Sequence, residues 1–254
     1  MIHTAFFMIP LFLCWGSFLN VVAYRLIHNG SLLRPRSYCP HCRRTLAWYD
    51  LIPVLSWLLL KGSCRYCKKS ISFLYPLIEL VTALSMTMLT IYVPWDYFLG
   101  YFIFFSALIV TIRTDLEFML VSRFVSLFLV PLGILLSFFN LLPLSLCESA
   151  LGALIGYGIL AGIARTFFIL TKKEGLGQGD VDLLAFIGSF TGIYGCWISL
   201  LIGSLAGSVI GITYMAFFKP NKSFKIPFGP FLALGAMIFV LFGPSLMRIL
   251  LHLN

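Results

Sequence analysis

Residues 183–218 constrain the fold more than any other stretch, because these 36 consecutive residues include no Asp, Glu, Lys or Arg. One helix of that length would rise about 54 Å, whereas the hydrocarbon core of a bilayer is about 30 Å thick. The stretch is therefore too long for a single membrane span. Glycines at 192 and 195 offer a turn within it, so we predict two short membrane helices here.

The composition extends this conclusion to the whole chain. It is 60% hydrophobic and only 11% charged, whereas soluble domains contain about 25% charged residues. We therefore predict an all-α polytopic membrane protein with about eight transmembrane helices. The predicted spans are residues 1–24, 71–94, 97–112, about 118–140, 149 to about 170, two within 183–218, and 226–247.

The distribution of basic residues predicts the orientation. Of the 18 Lys and Arg residues, 17 lie in the loops after spans 1, 3, 5 and 7 or beside them. Basic loops stay in the cytoplasm, so both termini are expected on the periplasmic side. This topology accounts for the net charge of +9, so the lipid bilayer is the expected partner and no nucleic acid is needed.

Four cysteines stand in the polar region between the first two spans. Cys39 and Cys42 form one C-x2-C pair, Cys64 and Cys67 form another, and 21 residues separate the pairs. This spacing is close to that of four-cysteine zinc sites. Two disulfides are the alternative, but cytoplasmic thiols stay reduced, which favours zinc. The predicted domains are a first helix (1–24), a cytoplasmic zinc-knuckle domain (25–70) and a membrane core (71–254).

Two acids are expected to meet at one membrane boundary. Asp180 follows Gly177 and Gly179 between two apolar segments, and Asp115 ends the third span. An acid at the edge of a membrane span is costly and is therefore a functional candidate. By the span count both acids lie on the cytoplasmic side. Two adjacent carboxylates share a proton, so one can activate water while the other polarises a peptide carbonyl, as in aspartyl proteases. The alternative for Asp180 is a helix N-cap behind a glycine-rich loop.

Several stretches together resemble the bacterial type IV prepilin peptidases, which are inner-membrane aspartyl proteases of the GxGD class. They are GSFLNVVAYRL (16–26), the segment 39–67 with its four cysteines, YPLIEL (75–80), GQGD (177–180) and IPFGPFL (226–232). The resemblance covers nearly the whole chain, and the set of stretches is far more specific than GxGD alone.

The resemblance implies that Asp115 and Asp180 are the catalytic pair. It implies cleavage of prepilin and pseudopilin leaders at the cytoplasmic face of the bacterial inner membrane. It also implies N-methylation of the new N-terminus with S-adenosylmethionine as donor. A basic leader would need acidic contacts, for which four residues are candidates: Glu79, Glu117, Glu174 and Asp182.

Three of the candidate contacts also have a structural alternative. Glu79 lies within the second span and would then be a buried partner. Glu117 and Asp182 would be solvated rim or capping residues, as most boundary acids are.

Two departures from the family pattern lie near the predicted pair. Val121-Ser122 stands six residues after Asp115, where the family usually has Ile-Pro. Asp182 stands two residues after Asp180, where the family usually has lysine. Neither change removes a catalytic carboxylate. Two rival functions stay open: a protease that cleaves without methylating, and a proton-coupled transporter, in which paired intramembrane acids also occur.

Overall fold

The computed structural model describes residues 6–28, 30–31, 36–173, 175–218 and 227–251. This part of the chain is helical, and its only β-type pairing is two isolated bridges. The α-helices are α1 (Ile9–Ile27), α2 (Leu55–Leu59), α3 (Leu74–Tyr92), α4 (Trp95–Phe118), α5 (Arg123–Ser126), α6 (Val130–Phe138), α7 (Leu146–Thr171), α8 (Gln178–Phe218) and α9 (Gly229–Leu251). A short 3-10 helix covers Trp48–Leu51.

Five of the described helices are long and apolar enough to cross a membrane, which confirms a multi-pass membrane protein of the all-α class. They are α1, α3, α4, α7 and α8. The chain divides into two compact units, residues 1–91 and 92–254. The predicted division into 1–24, 25–70 and 71–254 stays a prediction.

The predicted turn within the long charge-free stretch lies at Gly192. Its backbone has φ 69° and ψ −169°, a conformation open to glycine but strained for other residues. Beyond it the chain folds back, because the Cys196 thiol lies 3.6 Å from the carbonyl oxygen of Leu184. In one straight helix these residues would be about 18 Å apart along the axis. Helix α8 is therefore a hairpin with a first arm (178–191) and a second arm (193–218).

The first arm packs closely against α7. Ser149 Oγ donates to the carbonyl oxygen of Ser189 at 2.6 Å. A Cβ at Gly152 would clash with the carbonyl oxygen of Gly188, and a Cβ at Gly156 would lie 2.5 Å from that of Leu184. The two backbones are thus in direct contact along an antiparallel line, which we call the glycine seam. Such close contact requires glycine at 152 and 156, because a side chain at either position would clash.

Helix α4 supplies the core of the second unit. Phe104, Leu108 and Ile109 are fully buried. The Phe104 ring stacks on Phe190 of the first arm, with centroids 4.8 Å apart. This packing fixes α4 against the first arm, and so fixes the two helices that hold the predicted acids.

The fourth apolar segment differs from the single span that hydropathy predicts. Helix α4 ends at Phe118, the capping residue Met119 has φ 52°, and the chain then forms the short helices α5 and α6. The ring of Pro131 stands in the first turn of α6, where a proline suits a helix start but interrupts a longer helix. The nine residues of α6 rise only about 14 Å.

Candidate active site and metal centre

Asp115 lies in the last turn of α4, with 5% of its surface exposed. Its Oδ2 accepts a hydrogen bond from the backbone N–H of Gly229 at 3.1 Å. Gly229 is the first residue of α9, so the carboxylate lies at the positive end of that helix, which favours an acid there. The sequence predicts Asp115 as a site residue, and this contact fixes its orientation.

Asp180 lies in the first turn of α8 and is half-buried. Its backbone N–H donates to the carbonyl oxygen of Gly177 at 3.2 Å. A Cβ at Gly179 would lie 2.7 Å from Val121 Cβ, whereas a Cβ at Gly177 would have room beside Asp180 Oδ2 at 3.6 Å. Of the two predicted loop glycines, only Gly179 is thus required by a close contact.

The two aspartates come together although 65 residues separate them in sequence. Asp115 is near enough for its charge to act on the Asp180 carboxyl. Leu183 and Gly229 also meet beside Asp115, so the end of α4 and the starts of α8 and α9 converge at one place. A buried and a half-buried carboxylate in that setting can divide acid and base roles on one substrate.

Gly229→Ala is expected to reduce the activity of this site by about 10- to 100-fold, because its Cβ would lie 2.7 Å from Asp115 Oδ2 and displacements of about 1 Å can cost that much. Gly158→Ala is the matched control, since a Cβ there meets nothing within 4 Å. The measurement is kcat of detergent-purified protein for the leader cleavage that the family resemblance implies. Equal kcat for both variants would show that the Asp115–Gly229 contact is unimportant.

Two candidate contact acids have cationic partners. Glu117 pairs with Arg113, whose side chain is 1% exposed, across one turn of α4. The Asp182 carboxylate, 2% exposed, accepts from Arg123 Nε at 3.3 Å and from Gln178 Nε2 at 3.2 Å. Asp182 is thus a buried and paired acid rather than a solvated rim residue. Glu174 lies outside the described residues.

Glu79 belongs to the first unit and is described with it. It is buried in α3, and its Oε2 accepts from the backbone N–H of Val54 at 2.7 Å. Val54 has φ 60°, which is unusual for a β-branched residue and marks a constrained backbone. Glu79 is thus a buried acid with a backbone partner, and its role as a substrate contact stays a prediction.

The four predicted cysteines form one cluster. Their ligand atoms all lie within 4.8 Å of one another, and Cys39 Sγ is 3.9 Å from Cys67 Sγ. Four sulfurs around a zinc ion at about 2.3 Å would be separated by about 3.8 Å, whereas a disulfide requires about 2.05 Å. The donor set and spacing therefore fit a tetrahedral metal ion.

The cluster is built from two similar knuckles offset by 25 residues. In the first, Arg43 N–H donates to the Cys39 carbonyl oxygen at 2.8 Å, and Arg43 has φ 57°. In the second, Lys68 N–H donates to the Cys64 carbonyl oxygen at 3.0 Å, and Lys68 has φ 58°. An antiparallel bridge closes each knuckle. Each half thus presents two thiols on the same backbone turn.

Backbone N–H groups of Cys67 and Tyr66 lower the pKa of the Cys64 thiol to about 7. Burial raises the pKa of the Cys39 thiol to about 11. Metal ligation requires thiolates, so Cys64 is more readily ionised than Cys39 before a metal binds.

Sequence reasoning did not select Gly229 or Arg123 as site residues. For Gly229 a signal was present, because it lies in the IPFGPFL stretch that carries part of the family resemblance. For Arg123 the sequence carried no comparable signal, because its pairing with the buried Asp182 depends on tertiary packing.

The fold and the site define a class: multi-pass membrane proteins in which two helix-borne aspartates converge at one end of a bundle. Comparison with known proteins gives the family. Residues 11–93 match the bacterial peptidase A24 N-terminal domain, and residues 102–212 match the type IV leader peptidase family. The chain belongs to that family.

Curated relatives align over nearly the full chain. A prepilin leader peptidase/N-methyltransferase of Aeromonas hydrophila is 37% identical, covering 92% of this chain and 89% of the relative. One of Pseudomonas aeruginosa is 32% identical, covering 92% and 88%. A type 4 prepilin-like proteins leader peptide-processing enzyme of Escherichia coli is 34% identical, covering 87% and 88%. No solved structure matches the chain.

Proposed function

We propose that this chain is a membrane aspartyl endopeptidase that removes the leader peptides of type IV prepilins and type II secretion pseudopilins. We propose further that it methylates the new N-terminal amine. The observation that carries the first part is the convergence of Asp115 and Asp180 at the ends of two packed helices. The names of relatives aligned over about nine-tenths of the chain support both parts.

In the proposed mechanism the two carboxylates share one proton. The ionised carboxylate takes a proton from water as the water attacks the scissile carbonyl carbon. The protonated one donates to the carbonyl oxygen, and no covalent intermediate forms. The N–H of Gly229 holds Asp115 in one orientation, while the half-exposed Asp180 is open to water and substrate.

The proposed location is the cytoplasmic face of the bacterial inner membrane, with both termini in the periplasm. Basic residues close to the two aspartates support this location: Arg113 lies near Asp115, and Lys172 and Lys173 lie near Asp180. Basic residues beside membrane spans stay in the cytoplasm. A prepilin's apolar helix cannot leave lipid cheaply, so it would stay in the bilayer while its scissile bond lies at the interface.

We propose zinc as the ion held by Cys39, Cys42, Cys64 and Cys67, within a metal-binding domain of residues 25–70. The membrane core of residues 71–254 would then carry the proteolytic site. S-adenosylmethionine is the proposed methyl donor. Its methyl group would pass from sulfur to the amine that cleavage releases, with loss of a proton from that amine.

The deciding experiment incubates purified protein with a full-length prepilin, with and without S-adenosylmethionine, and determines product masses. We expect loss of the leader in both cases and one additional methyl group only when the donor is present. Cleavage without methylation would identify a protease alone. An intact prepilin, together with proton flux across vesicles, would instead support the transporter.

A further inference from the structure

We infer that Arg123 and Asp182 act as one positioning unit that holds Asp180 against the segment following Asp115. The inference rests on the proposed function, since it assigns these residues a role in placing the catalytic pair. Neither residue is expected to touch the reacting atoms, so both are positioning residues.

The first support is burial. The Asp182 side chain is only 2% exposed, whereas that of Arg123 is 68% exposed. A buried carboxylate is stable only when charges or hydrogen bonds compensate it. Arg123 Nε and Gln178 Nε2 supply one bond to each oxygen of Asp182. The partners come from α5 and from the first turn of α8.

The second support is a steric contact between the same two segments. Gly179 packs against Val121 so closely that a Cβ would lie 2.7 Å from Val121 Cβ. Residues 121 and 123 thus contact residues 179 and 182, and Asp180 lies between the two contact points in sequence. Asp115 lies six residues before Val121. The two contacts therefore join the chain segments that present the two aspartates.

The third support is the match of charge between the two residues. The acid at 182 pairs with the cation at 123, whereas a lysine at 182 would lie beside Arg123 with like charge, which is destabilising. This accounts for an acid two residues from Asp180 without any contact to the substrate.

A charge exchange tests the inference. The variants are Arg123→Glu, Asp182→Lys and the double variant with both changes, measured as purified full-length protein on one prepilin. We expect each single change to lower kcat by about tenfold or more, to leave KM within about twofold of the parent, and to alter the pH profile of kcat. The double variant should recover most of kcat and the parental profile. Arg36→Glu makes the same charge change on an exposed residue outside the membrane-crossing helices and should have no effect.

Because Asp182 is buried, a change there also perturbs folding, so two changes at the exposed Arg123 provide an independent test. Arg123→Gln should lower kcat per folded molecule, and Arg123→Lys should retain a larger part of it. A double variant as impaired as the single ones overturns the inference. The inference is also overturned if the single variants lower only the yield of folded protein and leave kcat, KM and the pH profile unchanged. Activity in Asp115→Asn or Asp180→Asn would refute the proposed function instead, whatever the exchange shows.

Discussion

Asp115→Asn and Asp180→Asn are each expected to reduce leader cleavage by about 10²- to 10⁴-fold, the usual contribution of a general acid or base. An amide occupies nearly the same volume as a carboxylic acid but neither takes up nor shares the proton. Asp115→Asn also keeps an oxygen that can accept from Gly229 N–H, so membrane insertion and helix packing should survive. The measurement is the initial rate of prepilin processing in detergent.

Asp96→Asn is the matched control for this prediction. Asp96 is exposed in the first turn of α4, the same helix that ends near Asp115. The substitution is chemically identical but far from the site, so the rate should stay within about twofold of the parent. A rate within a few-fold of the parent in either site variant would remove that residue from the catalytic pair.

Purified protein is expected to contain about one zinc ion per chain, and Cys64→Ser or Cys39→Ser to lose it. Structural zinc contributes about 10–16 kcal/mol of apparent binding free energy in zinc-finger peptides. Residues 36–70 bury few large apolar side chains of their own, so loss of zinc should unfold this region. Elemental analysis gives the metal content, and limited proteolysis reports the unfolding as new cleavage between residues 36 and 70.

Cys147→Ser serves as the control for the zinc prediction, because Cys147 is exposed and lies outside the cluster. Its metal content and proteolysis pattern should match those of the parent. A freshly reduced, active preparation without metal would contradict the assignment. Full metal content in Cys64→Ser would contradict it as well.

The sequence predicted the features that depend on local composition. Charge-free length alone required a break between residues 183 and 218, and the turn lies at Gly192. Cysteine spacing and the expected cytoplasmic location together predicted one four-thiol cluster. The division of the fourth apolar segment was missed, because hydropathy does not register the left-handed Met119 or the placement of Pro131 in a helix start.

The sequence predicted that Asp115 and Asp180 lie close together, but it did not predict which residues contact the other acids. Counting spans placed Asp115 and Asp180 on one side of the membrane, which was enough to pair them. The partners of the remaining acids come from distant parts of the chain: Arg123 is 59 residues from Asp182, and Val54 is 25 residues from Glu79. Such contacts depend on tertiary packing, and no periodicity in the sequence encodes them.

The glycine seam between α7 and the first arm of α8 limits the routes by which a membrane-embedded substrate can arrive. An α-helix with its side chains is about 10 Å across, and the Gly152 and Gly188 backbones already touch. No second helix can pass between α7 and the first arm unless these two helices first separate. The seam therefore closes the gap between α7 and the arm whose first turn carries Asp180. Under the proposed function, a prepilin helix diffusing in the plane of the bilayer would have to dock on another side of this unit.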